Sequence, residues 1–401
     1  MCAWARGLII PSVDEKESRV TSDPLRVVIA GGGVAALEAT LALRALAENR
    51  ISIELIAPEP DFVYRPLSVG DPFQIAETRR FPLAPLVDAA GGVLRHGRVV
   101  AVDPGERFVE TGDQDRVPYD ALLVALGARG HEALPNALTF TGPESIEALK
   151  GVLEEALDGD IHKIVLALPA GVTWPLPLYE LALLTASTLV DHGTSGVEVA
   201  LVTPEEQPLA VFGREASEAV GELLEARGIT VHLSTTPASF EDGVLQATPG
   251  DGIEADRVIA LPRLEGPHLA GLPCDRDGFL PTDDRCRVGS EVDVYAAGDA
   301  TQFPLKQGGI ATQQADTAAA EIAASAGASV EPEPFKPVLR GLLLTGMVPR
   351  YLRGEPGTAK SAVDTEALWW PPSKIVGRHL APFLASKLGL SEARAAPTVI
   401  R

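Results

Sequence analysis

An α/β fold built from two successive βαβ blocks is what this sequence predicts, and three observations carry that reading. From Leu25 onward, short β-branched runs alternate with longer helical patterns, the rhythm of a parallel sheet with crossover helices. The first apolar run enters a glycine-rich turn, "VVIAGGGVAALEATLAL" (Val27–Leu43). A second block of the same rhythm starts near Gly142.

In chain order, "LRVVIAG" reads as a buried strand that ends in glycine, and "VAALEATLALRALAENR" as a helix with apolar positions three and four residues apart. "ISIELIA" is the next strand. "VLRHGRVVAVDPGERFVE" reads as an antiparallel pair turning near Asp103-Pro104-Gly105, and "RVPYDALLVALGAR" as a buried strand ending at Gly127. In the second block, "HKIVLALP", "VEVALVTP", "ITVHLS" and "DRVIALP" are strands, and "LYELALLTASTLVDHG" and "EASEAVGELLEARG" are helices. "DVYAAGD" is a strand that returns to the first sheet. The expected division is a disordered tail over 1–22, a discontinuous first domain over 23–142 and 289–330, a second over 143–288, and a C-terminal segment over 331–401.

Bulk properties exclude several classes. The 401 residues are 46% hydrophobic and 22% charged, ordinary for a soluble α/β protein. A formal net charge of -21 repels nucleic acid, so a nucleic-acid partner is excluded. That charge serves solubility, or steers a cationic partner. No apolar run reaches the ~18–20 residues of a transmembrane helix. The N-terminal "MCAWARGLIIPSVDEKESRVTSD" lacks a full apolar signal region, so the expected location is cytoplasmic. Cys2, Cys274 and Cys286 form no CxxC, and His131, His162 and His192 follow no ligand spacing, so no metal is expected.

In the first turn, Gly31, Gly33 and Ala36 satisfy G-x-G-x-x-G/A in the strand–turn–helix context this pattern requires. Gly31 permits the tight turn, Gly33 lets backbone approach a pyrophosphate, and Ala36 lets helix and strand pack closely. The helix start, Val34 and Ala35, offers free N–H groups and a partial positive charge to the diphosphate. The acidic residue that takes ribose hydroxyls belongs at the end of the second strand, where Ala57 stands; Glu59 is the nearest substitute.

Downstream, "EVDVYAAGDATQFP" closely resembles the second flavin fingerprint of the FAD-dependent pyridine nucleotide–disulfide reductase superfamily. The helix "QGGIATQQADTAAAEIAA" follows it, as in that superfamily, and "FVYRPLSVGDPF" is similar to a stretch of its sulfide:quinone, flavocytochrome c sulfide dehydrogenase and type II NADH dehydrogenase branch. The resemblance spans roughly Leu25 to Ala324 and implies two Rossmann-like, three-layer ββα dinucleotide-binding domains, FAD in the first, and a C-terminal segment against the flavin. It implies cofactor contacts from Arg65, Pro66, Val99, Ala125, Gly127, Gly298, Asp299, Gln307, Gly309 and Ile310, beside the residues of the first turn. Asp299 would accept from the ribityl chain, and the helix after it would face the isoalloxazine.

The second domain should repeat the glycine pattern, but "IVLALPAGVTWPLPLYELALLTA" (Ile164–Ala186) has Gly171 alone. Pro169, Pro175 and Pro177 offer no N–H to a phosphate, and Trp174 adds bulk where backbone must approach. The second domain then serves as a wall over the flavin. Glu180, early in the following helix, is either a proton-transfer group near the flavin or a surface glutamate at a helix start. The redox cysteine pair of the sulfide enzymes has no counterpart here, since Trp174 and its neighbours fill one place and no cysteine follows Cys286.

The expected function is two-electron transfer through FAD between a small-molecule donor and a small acceptor such as a quinone, without a cysteine relay. Alternatives are an NAD(P)H-dependent flavin reductase, a non-catalytic FAD-binding scaffold and an enzyme acting on a specialised metabolite. Near the C-terminus, Trp369, Trp370, Ile375, Val376, Leu380, Phe383 and Leu384 give apolar surface, and Lys374, Arg378, His379 and Lys387 are basic. This stretch is expected as a helix packed on its own protein or across a homodimer, in preference to a membrane surface.

Overall fold

The computed structural model describes residues 23–358 and 360–388, so the expected tail over 1–22 lies outside the described residues. Two five-stranded parallel sheets organise it. In the first, the strand order is Val294–Ala296, Ala121–Val124, Leu25–Ala30, Ile51–Ala57, Val93–His96. Ala30 pairs with Ile56 on one side and Val124 on the other, which brings the carboxyl ends of three strands to one edge. The late strand Val294–Ala296 pairs with Leu122–Val124, so the chain does return to the first sheet.

Side-chain alternation along Leu25–Ala30 explains the layers. Val27 and Ile29 pack against helices α1 (Val34–Ala47) and α3 (Gly308–Ser325), while Val28 and Ala30 pack against a three-stranded antiparallel sheet through Val99, Val102, Val109 and Val117. The second unit repeats this. Its sheet runs Leu138–Thr139, Arg257–Ala260, Lys163–Ala167, Glu198–Val202, Thr230–His232. Ile164 and Leu166 face helix α2 (Leu176–Asp191), and Val165 and Ala167 face Leu245 of the second three-stranded sheet.

The units join through a ribbon in which Arg129–His131 pairs antiparallel with Arg263–Glu265. Leu138–Thr139, before the expected boundary at 142, already belongs to the second sheet. Leu269, Leu272, Leu280 and Val288, expected in the second domain, pack in the core of the first, anchored where the Val102 N–H donates to Ala270 O at 2.9 Å.

The C-terminal segment differs from the expected long helix. It contains an antiparallel sheet of Leu339–Leu343, Arg350–Gly354 and Ser361–Asp364, absent from the sequence reading. Residues 365–379 carry no helix, and helix α4 is confined to Leu380–Lys387. Pro371, Pro372 and Gly377 interrupt helical geometry before it. Leu380 and Leu384 are buried in the core beside α1, each contributing ~1.5–3 kcal/mol of apolar burial, so this stretch packs on its own protein. Among the described residues no helix is long and apolar enough to cross a membrane.

Candidate functional site

A cavity of about 1360 Å³ opens at the carboxyl edge of the first sheet, walled also by the second unit and the C-terminal segment. It exceeds the ~300–1,000 Å³ that suffices for a drug-sized ligand. The first turn forms its floor. Gly31 has φ +120°, and a Cβ there would lie 2.2 Å from Ala125 O, so only glycine closes this turn. At Gly33 a Cβ would meet nothing within 4 Å, because the position opens into the cavity. Gly33 caps α1 without any side-chain bond, leaving the first-turn N–H groups of Val34 and Ala35 for a ligand. Glu59, Arg65, Pro66, Val99, Ala125 and Gly127 also line the cavity; Ala36 is buried behind it. Arg65 pairs at the rim with Glu144 at 3.2 Å.

Gly298 and Asp299 reach the cavity from the end of Val294–Ala296. Gly298 has φ +77°, and its N–H donates to Gln314 Oε1 at 2.8 Å. Among the described residues no group donates a hydrogen bond to the Asp299 carboxylate, and removal from water pushes its pKa up against the pull of Lys306. Lys306, not singled out from sequence, donates to the carbonyls of Asp299 and Thr301 and lies 3.7 Å from the centre of the Phe279 ring. Burial lowers its pKa to about 8, opposed by Asp299 and Asp275. Gln307 lines the cavity, but its amide is engaged: Oε1 accepts from Ile310 N at 2.9 Å to cap α3, and Nε2 donates to Arg340 O at 2.9 Å. Gly309 and Ile310 are buried outside the cavity wall. An acceptor without a protein donor, a glycine opening onto free helix N–H groups and an elongated space between them fit FAD, whose ribityl hydroxyls donate and whose diphosphate accepts.

Glu180 is no surface residue. Its side chain is 1% exposed, and Lys374 Nζ, 6% exposed, donates to both of its oxygens at 2.6 Å. The Leu344 N–H adds a bond of 2.8 Å. Burial pushes Glu180 up and Lys374 down, and each opposes the other's shift. Both line the cavity, and Lys374 also lines an adjoining pocket walled by Leu67, Phe81, Leu342, Leu344, Leu380 and Leu384. Next to it, the Ile375 N–H donates to Tyr64 Oη at 2.9 Å. Lys374 is thus part of the site and not of a basic surface stripe.

The second-unit turn is closed by its own contacts. Thr173 Oγ1 donates to Pro304 O on the first unit, and Trp174 packs at 5.6 Å on Phe212. At the start of α2, Pro177 lacks an N–H and the Leu178 N–H already donates to Pro175 O at 2.9 Å. Glu205, beyond the strand Glu198–Val202 where a ribose-binding acid is expected, accepts from Tyr179 Oη at 2.6 Å and Thr203 Oγ1 at 3.0 Å. Burial raises its pKa despite these donors. Neither Cys274 nor Cys286 lines the cavity, and burial pushes Cys286 up to about 12. Among the described residues no His/Cys/Asp/Glu group is arranged to hold a metal ion.

Comparison with known proteins follows the same lines. The family model of the pyridine nucleotide-disulphide oxidoreductases matches residues 25–321. The ferredoxin reductase component of chlorobenzene dioxygenase from Cupriavidus sp. (strain PS12) is 28% identical over 308 residues, 71% of this chain and 68% of that protein. Rubredoxin-NAD(+) reductase of Pseudomonas putida is 24% identical over 355 residues, 80% of this chain and 86% of that protein. Among solved structures, the sulfide:quinone oxidoreductase of Aquifex aeolicus superposes with a TM-score of 0.78 at 18% identity, covering 85% of this chain and 86% of that one.

Proposed function

The chain belongs to the pyridine nucleotide-disulphide oxidoreductase family and is an FAD-dependent oxidoreductase, and from that premise we propose that it takes two electrons from a small-molecule donor and delivers them to a quinone or similar flat apolar acceptor. No cysteine relay takes part, and no nicotinamide nucleotide is held by the second unit. The observation that carries this reading is Lys374, which lines both the large cavity and the adjoining apolar pocket.

Bound FAD supplies the two-electron chemistry. The first turn binds its diphosphate through Gly33, Val34 and Ala35, and Asp299 orients its polar chain. The apolar pocket excludes water, and from its volume of about 40 Å³ it must widen to take a flat ring. Reducing a quinone to a quinol takes two electrons and two protons, and where water is excluded a proton that the cofactor does not bring must come from a side chain. Lys374 Nζ holds a proton at the shared wall, and Glu180 fixes that ammonium from both oxygens. The closed turn at Thr173–Trp174 and the occupied Glu205 support the reading that the second unit holds no nicotinamide nucleotide.

A second reading, in which NAD(P)H reduces the flavin, is favoured by the likeness to rubredoxin-NAD(+) reductase. Anaerobic stopped-flow spectroscopy of the holoprotein separates the two. We expect NADH and NADPH to leave the flavin oxidised, and dithionite-reduced protein to be reoxidised rapidly by a short-chain quinone. Rapid bleaching by either nucleotide would establish the second reading.

A further inference from the structure

Four polar side chains stand in the lining of the apolar pocket: Tyr64, Arg79, Ser373 and Lys374. Three are committed. Lys374 Nζ is held by both Glu180 oxygens. Ser373 Oγ gives its proton to Ile375 O at 2.7 Å. Arg79 has a partner of its own. Tyr64 differs from these. It follows the strand Asp61–Val63, and its N–H donates to Arg79 O at 2.8 Å, beside the pairing of that strand with Arg80–Pro82. Its ring meets the buried Phe62 edge-on, with centroids 6.3 Å apart, which fixes the direction of the hydroxyl. Tyr64 is 8% exposed, and it lines this pocket but not the large cavity. Its Oη accepts from the Ile375 N–H at 2.9 Å, and among the described residues no group accepts its proton. A hydroxyl that accepts one hydrogen bond still has its proton to give, and a donor kept from water without a partner is unfavourable. Burial pushes the phenol up to about 12, so that proton stays on it at neutral pH.

We propose that Tyr64 is the hydrogen-bond donor to the second carbonyl of the acceptor, and so the residue that selects quinones among flat apolar molecules. The inference rests on the quinone reading above. A para-quinone carries carbonyl oxygens at opposite ring positions. One meets the ammonium of Lys374 at the wall shared with the large cavity, and the other meets the Tyr64 hydroxyl within the apolar pocket. Tyr64 keeps its proton throughout and acts only by this hydrogen bond. A flat molecule lacking that carbonyl leaves the phenol unpaired, and an unpaired buried polar group is the strongest means a pocket has of rejecting an analogue.

The test is infrared difference spectroscopy of a short-chain benzoquinone, isotopically labelled at one carbonyl or the other, bound to oxidised holoprotein so that nothing turns over. In wild type both carbonyl stretches should lie below those of the quinone in an apolar solvent. In Tyr64→Phe one of them should return upward while the other stays low. A fluorotyrosine placed at Tyr64 is a stronger donor and keeps the oxygen that Ile375 N–H needs, so it should move that same band lower still. The ratio of quinone to ferricyanide turnover, the second being an acceptor without a carbonyl, should fall about 10- to 100-fold in Tyr64→Phe. Bands that neither substitution moves, or a turnover ratio that stays at the wild-type value, overturn the assignment of Tyr64 and leave the quinone reading standing. A wild type that shows no bound quinone overturns that reading, and this assignment with it.

Discussion

Lys374→Met is expected to lower quinone-dependent turnover by about 10²–10⁴-fold and to make stability fall as pH rises. The two parts have one cause. Among the described residues, Lys374 is the one cationic partner of the Glu180 carboxylate, which is 1% exposed. Removing one member of a buried pair typically costs about 3–5 kcal/mol, because the survivor keeps a charge without solvent. Glu180 escapes by binding a proton, for burial already pushes its pKa up and Lys374 was the main opposing influence. In the variant, folded Glu180 therefore binds protons more tightly than unfolded Glu180. Stability is then highest in acid and declines with pH by at most about 1.4 kcal/mol per unit, from the ordinary carboxyl range up to the raised folded value. Urea melts at pH 5, 6, 7 and 8 measure this slope against wild type. Adding Glu180→Gln removes the ionisable survivor, so the double variant should regain the wild-type profile while remaining slow with quinone. A lone Lys374→Met as stable at pH 8 as at pH 5 would show that Glu180 does not depend on this ammonium.

This pair marks the limit of what the sequence discloses. Gly31, Gly33 and the residues around Asp299 are legible because their chemistry is local: a tight turn, a helix start and a strand end lie within a few consecutive residues. The unbroken apolar run Val27–Ala30 likewise encodes a strand buried on both faces. Glu180 and Lys374 are 194 residues apart, and no periodicity connects them. Lys374 sits among Arg378, His379 and Lys387, which makes the stretch look like a basic face until its side chain is seen turned inward. The C-terminal sheet is hidden in the sequence for another reason. Gly341 interrupts "LRGLLL", yet a Cβ there would come 2.6 Å from the Phe212 ring, so that glycine records a close approach between units. Such a glycine within an apolar run was the available signal.

The second unit shows both situations together. Its missing glycines are plain in the sequence and predict a lost phosphate cradle. That Glu205 is also withdrawn from service depends on Tyr179, 26 residues earlier and on a different element. The two features point the same way, since restoring glycines alone would leave Glu205 still bonded to Tyr179 and Thr203. The sheet, the helix and their core remain, and they wall the large cavity through Thr173, Trp174 and Glu180.

Gly31→Ala and Gly33→Ala should separate folding from cofactor binding at adjoining positions of one turn. A methyl group on Gly31 meets a backbone carbonyl at 2.2 Å in a region of φ that side chains rarely adopt. Strain and overpacking each cost about 1–3 kcal/mol, so this variant should melt well below wild type even without flavin. At Gly33 the methyl enters open space, and apoprotein stability should stay within about 1 kcal/mol of wild type. That open space is the one assigned here to the diphosphate, beside the N–H groups of Val34 and Ala35. Losing one charge-assisted hydrogen bond is worth about 1.5–3 kcal/mol, which corresponds to a decrease in FAD affinity of about 10- to 100-fold. Apoprotein melting and titration of flavin fluorescence read the two quantities independently. Gly33→Ala binding FAD as tightly as wild type would mean that the diphosphate does not lie against this turn, whatever becomes of Gly31→Ala.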